Sequence, residues 1–245
     1  MHRFYAGSAS PDRTLFTLDT EDSFHAVRVL RLRPDDRAEV IFGGERFLSV
    51  LEEASPSAVT LRALQPLPST EPALSVTLFQ GMPKGDKMDL IVQKAVELGA
   101  VRIVPVVFSR SVVRLNEKDA ARKTERWRKI AREAGKQSGR CCVPEVHPVV
   151  SFGDLPGLFA SCEKVAVPWE ECAHGGPLAF VRRYPSLSSL GIVIGPEGGI
   201  SAEETDALLA MGCESITLGK RILRTETAGL ASLSAFFSLY GEMEQ

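Results

Sequence analysis

A glycine-rich segment in the last third of the chain forms a place where a ligand can approach the backbone closely. Residues 194–199 read IGPEGG, and they follow a predicted apolar strand and precede a predicted helix. Ligands of open α/β sheets bind at this position, at the carboxyl end of a strand, and glycines leave room there. A tight turn with positive φ is the alternative interpretation. Such a turn does not need a carboxylate between glycines, so Glu197 favours a ligand site.

A second polar segment follows the next predicted strand in the same way. Residues 218–228 read LGKRILRTETA and lead into an apolar helix. Polar, glycine-containing loops at two neighbouring strand ends define one crevice. Helix capping by a threonine is the alternative interpretation. Capping accounts for one threonine but not for Arg221, Arg224 and Glu226 together.

Three further loops contain residues suited to ligand or phosphate contacts. Trp169 follows a predicted strand, where it either stacks on a planar ring or packs within the protein. Lys84 and Lys87 lie beside a glycine, and Arg110 and Arg114 follow another predicted strand. Cations in such loops suit phosphate contacts. Ordinary solvated loops are the alternative.

A long helix predicted over residues 118–138 has two different faces. One stripe along it and its following turn is cationic: Arg122, Arg126, Lys129, Lys136 and Arg140. The other is apolar: Trp127, Ile130, Ala131 and Ala134. Helical periodicity therefore predicts packing on one side and positive charge on the other, an arrangement that suits a nucleic-acid backbone. A solvated basic helix without a partner is the alternative.

The charge distribution supports a polyanionic partner. The chain of 245 residues has a net charge of −2. Residues 74–150 carry 15 Lys/Arg and 8 Asp/Glu, a net charge of +7, whereas the segments before and after carry −3 and −6. A basic middle third in a nearly neutral chain indicates that such a partner binds one face.

Composition excludes several classes of protein. With 44% hydrophobic and 24% charged residues, the chain is typical of a globular protein, and no apolar run approaches the roughly 20 residues of a membrane span. The five cysteines show no C-x-x-C pair and predict reduced thiols in a cytoplasmic protein. The four histidines are scattered, so no metal site is expected.

The predicted elements fall into two regions. Short alternating runs and one helix at residues 22–32 predict a small β-barrel. A segment at 64–73 with three prolines predicts a linker. Beyond it, strands alternate with helices, which predicts a mostly parallel α/β sheet. Expected helix signals there are Asp86 and Gly99 at the two ends of one helix, and a capping box at residues 201–204.

Several of these segments together resemble the RsmE family of bacterial 16S ribosomal RNA methyltransferases, which methylate N3 of one uridine. The matching segments cover residues 84–99, 109–113, 137–140, 194–199 and 218–228. The resemblance implies an α/β fold: a PUA-like RNA-binding β-barrel at 1–68, and a SPOUT methyltransferase domain with a C-terminal trefoil knot at 74–245. It also implies a homodimer formed through the SPOUT domain, with 16S RNA, within the 30S subunit, as the substrate.

The resemblance further implies S-adenosylmethionine as the cofactor, held in the knot near the dimer interface. The residues expected to hold it are Val167, Pro168, Trp169, Ile194, Gly195, Pro196, Gly198, Gly199, Leu218, Gly219, Ile222, Leu223, Thr225, Thr227 and Ala228.

The chemistry of uracil N3 predicts the catalytic groups. This nitrogen becomes nucleophilic when its proton leaves and negative charge builds on the flanking carbonyl oxygens, which a cation stabilises. We assign that role to Arg224, with Glu197 or Glu226 as a base or cofactor-orienting group. A salt bridge from Arg224 to Glu226 is the alternative. Expected RNA contacts are Arg3, Arg28, Lys84, Arg110, Arg126, Lys129 and Arg140.

Two rival interpretations remain at the level of the sequence. One is a methyltransferase that acts on another RNA. The other is a non-catalytic RNA-binding ribosome-assembly factor that has kept the fold.

Overall fold

The computed structural model describes residues 1–172 and 175–244, so His174 and Gln245 lie outside the described residues. The chain divides into two units. The first comprises Met1–Glu71 and Gly135–Val143, and the second comprises Pro72–Ala134 and Pro144–Gln245. The short return segment in the first unit is not part of the predicted barrel region.

The first unit contains a closed barrel, as predicted. Its strands are β1 (His2–Ala9), β2 (Leu15–Leu18), β3 (Arg37–Phe42), β4 (Glu45–Ala54) and β5 (Val59–Leu67), in the spatial order β1-β2-β5-β4-β3. β1 and β3 pair in parallel, and the other neighbours are antiparallel. Side chains such as Phe4, Phe16 and Leu61 fill the interior.

Two boundaries in this unit differ from the expectations. The helix predicted at 22–32 is α1 (Thr20–Phe24) followed by one π-helical turn (His25–Val29). It stops there because Arg31 has φ of 57°, which a right-handed helix does not accommodate. β5 runs into the predicted linker. At Pro66 this strand pairs only with β4, because its ladder with β2 stops at Arg62. Pro66 therefore lies where one edge of the strand is unpaired, which is where strands tolerate proline.

The second unit is built on a parallel sheet, as predicted. Its strands are β6 (Ser75–Gly81), β7 (Arg102–Val107), β8 (Glu145–Val146), β9 (Val150–Ser151), β10 (Lys164–Pro168), β11 (Ser189–Ile194) and β12 (Glu214–Ile216). The order is β12-β10-β11-β6-β7-β8, with β9 also paired to β7. All these pairings are parallel.

Helices cover both faces of this sheet. They are α2 (Lys87–Leu98), α3 (Glu117–Ser138), α4 (Leu155–Phe159), α5 (Pro177–Arg183), α6 (Ala202–Ala210) and α7 (Thr225–Leu239). Side chains of α2, α3, α5 and α7 share one core cluster, with Trp127 and Phe236 among its largest members. Those of α4 and α6 share another. Burial on both faces explains why the strands are nearly continuous apolar runs.

The helix ends agree in part with the sequence signals. Gly99 ends α2 with φ of 114°, and the capping box of Ser201 and Glu204 starts α6. Asp86 precedes α2 but makes no capping hydrogen bond; its carboxylate lies 3.9 Å from Arg126. Within the described ranges, no helix is long and apolar enough to cross a membrane.

Candidate functional site

The loops that follow β6, β10, β11 and β12 meet at one edge of the sheet, because parallel strands end on the same side. Two adjoining cavities lie there, of about 460 Å³ and about 150 Å³. Both are lined by Pro168, Trp169, Glu170, Ile222, Leu223 and Ala228. The glycine-rich loop and the 218–228 segment are therefore brought together around one site, as their positions in the sequence predicted.

The structure places most of the predicted cofactor residues on these cavities. The larger cavity is also lined by Ile194, Gly195, Pro196, Gly198, Gly199 and Thr225, and the smaller one by Leu218 and Gly219. Val167 and Thr227 line neither cavity. Val167 is buried in the core under the sheet, and Thr227 is exposed in the first turn of α7.

Glycines in the glycine-rich loop and beside it are packed too closely to carry side chains. A Cβ atom at Gly81 would lie 2.5 Å from the nitrogen of Pro196, and one at Gly198 would lie 3.0 Å from the carbonyl oxygen of Arg110. Gly199 has φ of 72°, so the predicted positive-φ turn is present as well. The positive-φ turn and the loop that lines the larger cavity are thus the same feature.

One lysine pairs with both acidic residues of the predicted catalytic group. The Lys87 ammonium lies 3.0 Å from Glu197 Oε1 and 3.2 Å from Glu226 Oε2. The backbone N–H of Lys84 also donates to Glu197 Oε1, at 3.0 Å. These contacts connect the loop after β6 to the glycine-rich loop and to α7.

The pairing shifts the pKa values of Glu197 and Lys87. Partial burial alone raises the pKa of Glu197, but the Lys84 N–H and the Lys87 ammonium outweigh it and hold that pKa below its usual range. Hydrogen bonds to Glu197 and then Glu226 raise the pKa of Lys87. Glu197 is consequently ionised and anchored, which makes it a weak proton acceptor.

Arg224 lies at the mouth of the larger cavity with its charge available. It is exposed, occupies the N-cap position of α7, and forms no ion pair with any residue that the structure describes. Its carbonyl oxygen accepts from the N–H of Thr227 and of Ala228, both at 2.8 Å. The alternative salt bridge from Arg224 to Glu226 is wrong, because Glu226 faces Lys87 instead.

The interpretation of Thr225 or Thr227 as a helix cap is also wrong. No side chain caps the start of α7. Thr225 is buried, and its hydroxyl donates to the carbonyl oxygen of Gly195 at 2.6 Å. It accepts in turn from Nε2 of Gln80, at 2.8 Å.

In the second unit, the expected RNA contacts lie mostly on the surface. Lys84, Arg110, Arg126 and Lys129 are all exposed. Nη1 of Arg110 lies 3.4 Å from the carbonyl oxygen of Gly198, so this cation borders the glycine-rich loop. Arg126 forms an ion pair with Asp89.

In the first unit, one expected contact must be corrected. Arg28 is exposed, and Arg3 is half-buried with its Nε 2.7 Å from Glu39 Oε2. Arg140 is only 3% exposed and is held by Glu71 at 2.6 Å. Because its guanidinium is committed to this buried pair, Arg140 is not a surface contact for RNA.

Sequence reasoning passed over Glu170 and Gln80 and considered Lys87 only as a phosphate contact. Lys87 and Glu170 line the larger cavity and lie in segments that the sequence had already marked as polar loops. Gln80 carried a different signal, because it is the only amide side chain in a strand whose other polar residues are the small Ser75 and Thr77. A polar residue inside a buried strand needs a hydrogen-bonding partner, and that rule would have found it.

Comparisons with protein families match both units. Residues 70–237 match the family described as the RNA methyltransferase domain. Residues 18–64 match the family described as the RNA methyltransferase PUA domain.

Individual relatives give a consistent result. Ribosomal RNA small subunit methyltransferase E of Bacillus subtilis is 38% identical over 226 residues, covering 90% of this chain and 88% of that protein. Ribosomal RNA small subunit methyltransferase E of Neisseria gonorrhoeae, solved bound to S-adenosyl methionine, is 32% identical with a TM-score of 0.85 and covers 98% of each chain. A Legionella pneumophila protein solved with S-adenosyl methionine is 29% identical, with a TM-score of 0.82 and 96% coverage of both chains.

Proposed function

The chain belongs to the RNA methyltransferase family that includes ribosomal RNA small subunit methyltransferase E, and we propose that it uses S-adenosylmethionine to methylate N3 of a specific uridine in 16S ribosomal RNA. The single observation that carries this proposal is the cavity at the carboxyl edge of the sheet, which Arg224 and the glycine-rich loop line together. A family match alone gives the class of reaction. The cavity supplies residues that can perform it.

The cavity suits S-adenosylmethionine in size and in charge. Its volume of about 460 Å³ is in the range of small-ligand sites. Gly195, Gly198 and Gly199 lie in the lining, and glycine lets a ligand approach the backbone closely, so adenine and amino-acid groups can hydrogen bond there. Glu170 and Glu197 contribute carboxylates to the same lining. Because Lys87 already pairs with Glu197, Glu170, which has no ion pair with any described residue, is the carboxylate available to the cationic sulfonium.

The bound cofactor supplies an activated methyl group, so the protein has to provide alignment and a nucleophilic nitrogen. Arg224 stabilises the negative charge that develops on the uracil carbonyl oxygens when N3 loses its proton. Its exposed guanidinium, without an ion pair to any described residue, is available for this role.

Of the two acidic residues, Glu197 has the orienting role. Its carboxylate is already bonded to the Lys84 N–H and the Lys87 ammonium, and its pKa is lowered, with those contacts outweighing the opposing effect of burial. Both features oppose proton uptake. Glu226 also pairs with Lys87, at 3.2 Å, but it does not accept from the Lys84 N–H as Glu197 does, so we assign Glu226 as the base.

RNA binds to exposed cations of each unit. In the second unit we assign Lys84, Arg110 and Lys129, which are exposed and close to the cavity loops or on α3. In the first unit we assign Arg28, and Arg3 with part of its charge neutralised by Glu39. These contacts fix the position of the RNA through its phosphates rather than through its sequence.

We further propose a homodimer formed through the second unit, which folds as a SPOUT domain with a C-terminal trefoil knot, acting on 30S particles in the cytoplasm. Ile222 supports the dimer: it lines both cavities, yet it is 87% exposed in the single chain. The support comes from its position beside the site, where the surface of a second subunit would cover it. Sedimentation analysis tests this: a monomer at every concentration would contradict it.

Methyl transfer from labelled cofactor tests the function. We would incubate the protein with methyl-labelled S-adenosylmethionine and small-subunit particles that lack the modification, then digest the RNA and identify the labelled nucleoside. Free 16S RNA serves as a parallel substrate. We expect the label in 3-methyluridine.

Each other result would reject the proposal in a specific way. Label in a different nucleoside rejects N3 of uridine as the target. Cofactor binding without transfer to either substrate indicates a methyltransferase for another RNA. Absence of cofactor binding indicates a non-catalytic RNA-binding protein.

A further inference from the structure

Gln80 is a fully buried amide at the carboxyl end of β6, a strand in the interior of the sheet. In the parallel ladder it lies opposite Ile194, the first residue of the glycine-rich loop motif. An amide removed from water is costly unless it forms hydrogen bonds. The bonds that it forms therefore show what this side chain does.

The Gln80 amide begins a short chain of hydrogen bonds that has a single direction. Its Nε2 donates to the Gly81 carbonyl at 3.1 Å and to the Thr225 hydroxyl at 2.8 Å. The Thr225 hydroxyl has one proton, and it donates that proton to the Gly195 carbonyl at 2.6 Å. Rotating the amide by half a turn would set Oε1 against the Gly81 carbonyl oxygen, so the Gly81 contact fixes its orientation.

The other end of the amide explains a glycine within α7. A Cβ atom at Gly229 would lie 3.0 Å from Gln80 Oε1, so a side chain there would press on the amide. Gln80 Oε1 itself has no hydrogen-bond partner among the described residues. A buried acceptor without a partner lowers stability. The unpaired Oε1 thus lowers stability, while Nε2 of the same amide donates to the Thr225 hydroxyl.

The chain of bonds joins two sides of the larger cavity. Gly195 opens the glycine-rich loop, and Thr225 directly follows Arg224 at the start of α7. A bond between these two residues therefore fixes the spacing between the loop that we assign to the cofactor and the arginine that we assign to the uracil.

We propose that Gln80 and Thr225 are positioning residues for methyl transfer, a role that rests on the proposed function. Gln80 orients the Thr225 hydroxyl, and that hydroxyl holds the Gly195 carbonyl so that the cofactor loop and Arg224 keep their productive separation. Neither residue contacts the reacting atoms. Their effect is geometric, and small displacements of aligned groups reduce rate strongly.

Substitutions at Thr225 test this directly. Thr225→Val keeps the shape of the side chain and removes its hydroxyl, whereas Thr225→Ser keeps the hydroxyl. We expect Thr225→Val to lower kcat about tenfold, the effect of losing one hydrogen bond, and Thr225→Ser to remain within about threefold of wild type. Assays are run well below the thermal midpoint of every variant, and cofactor affinity is measured by calorimetry.

Two other variants serve as a control and as a second approach. Thr124→Val removes a similarly buried hydroxyl, which bonds to the Ala120 carbonyl within α3, and should leave kcat unchanged. Gly229→Ala displaces the Gln80 amide without changing Thr225 and should lower kcat in the same direction as Thr225→Val. If Thr225→Val does not fold, Gly229→Ala still tests the positioning role.

Several outcomes would overturn the positioning role. One is wild-type kcat and cofactor affinity for Thr225→Val with only a lower thermal midpoint, because this is the pattern of a purely structural residue. A second is equal loss in Thr225→Val and Thr225→Ser. Failure of the proposed function looks different, since the wild-type protein itself then transfers no methyl group. If the wild-type protein transfers no methyl group, the positioning role is judged by cofactor affinity alone. The same affinity in wild type, Thr225→Val, Thr225→Ser and Gly229→Ala would then reject it.

Discussion

The two basic residues of the larger cavity, Lys87 and Arg224, differ in their ion pairing. Lys87 pairs with both Glu197 and Glu226, whereas Arg224 forms no ion pair with any described residue. A cation without a carboxylate beside it exerts its field on a ligand instead. The two basic residues therefore differ in the charge that they can offer a ligand, although both line the same cavity.

Arg224→Ala should consequently reduce kcat about 100-fold or more, the usual effect of removing one group that stabilises developing negative charge. Cofactor affinity should change by less than about threefold, because the guanidinium acts on the uracil oxygens. Single-turnover methyl transfer and calorimetric cofactor binding measure the two quantities. The control is Arg182→Ala, an exposed arginine on α5 that lines neither cavity. A rate near that of wild type for Arg224→Ala would refute the role.

Residue chemistry was predictable where it depended on local sequence and not where it depended on distant partners. The position of Glu197 between glycines predicted a ligand loop, and the loop lines the larger cavity. Nothing in the sequence near Glu226 indicates that Lys87 will pair with it, 139 positions away in the chain. The buried state of Arg140 was missed for the same reason, since Glu71 is 69 residues distant.

At the scale of elements, α3 has the two faces that its periodicity predicts. Trp127 and Ala131 are buried in the core of the second unit, and Arg122 and Lys129 are exposed. Asp89 on α2 accepts from Trp127 Nε1 at 3.1 Å and also pairs with Arg126. Part of the cationic stripe therefore holds α3 against α2 rather than facing a partner.

Lys129→Glu should weaken RNA binding and reduce the slope of log affinity against log salt by about 1, the loss of one phosphate contact. Lys129 is the better choice because reversing Arg126 would also set a carboxylate beside Asp89 and disturb the packing. Binding is measured over a salt series. Arg182→Glu, an exposed basic residue on α5, is the control for net charge. An unchanged slope for Lys129→Glu would remove α3 from the interface.

Elements were predicted well where periodicity was strong and less well where it was not. Five strands of the parallel sheet (β6, β7, β10, β11 and β12), α3 and the capping box of α6 were found within a few residues, whereas the two-residue strands β8 and β9 were not predicted. Strand β1 gave no clear alternating signal, because its sequence HRFYAGSA contains several small residues. The positive φ of Arg31 likewise leaves no mark in the sequence, so the helix before it was predicted too long.

At the scale of the whole molecule, one buried cluster completes the first unit. Arg140 bonds to Glu71, and the Tyr5 hydroxyl donates to the Arg140 carbonyl at 3.1 Å. Burial by itself raises the pKa of Glu71, but the hydrogen bonds and charge of Arg140 lower it overall. The cluster joins β1, the segment after β5 and the return segment 135–143 within this unit.

Arg140→Met should lower the free energy of unfolding by about 3 kcal/mol at neutral pH, because it leaves Glu71 buried without its cation. Since the pKa of Glu71 is lowered on folding, the contribution is complete above the unfolded pKa near 4.5 and is lost as pH falls through the folded value. Denaturant unfolding at several pH values measures this.

The control is Arg62→Met, which breaks the exposed pair with Glu52 in the same barrel and should cost less than about 1 kcal/mol. Equal losses for the two variants, or a loss for Arg140→Met that is as large at pH about 3 as at pH 7, would contradict the assigned energetics.

The division of the chain has a consequence for how the protein is made. Strand β5 ends at Leu67, but the residues that complete the first unit, Gly135–Val143, are translated only after β6, β7 and most of α3. While the nascent chain emerges from the ribosome, Glu71 therefore lacks Arg140 through the synthesis of about 69 further residues. The first unit therefore cannot form all its contacts before the second unit begins to be synthesised. Its last segment, Gly135–Val143, leaves the exit tunnel only after Pro72–Ala134 of the second unit.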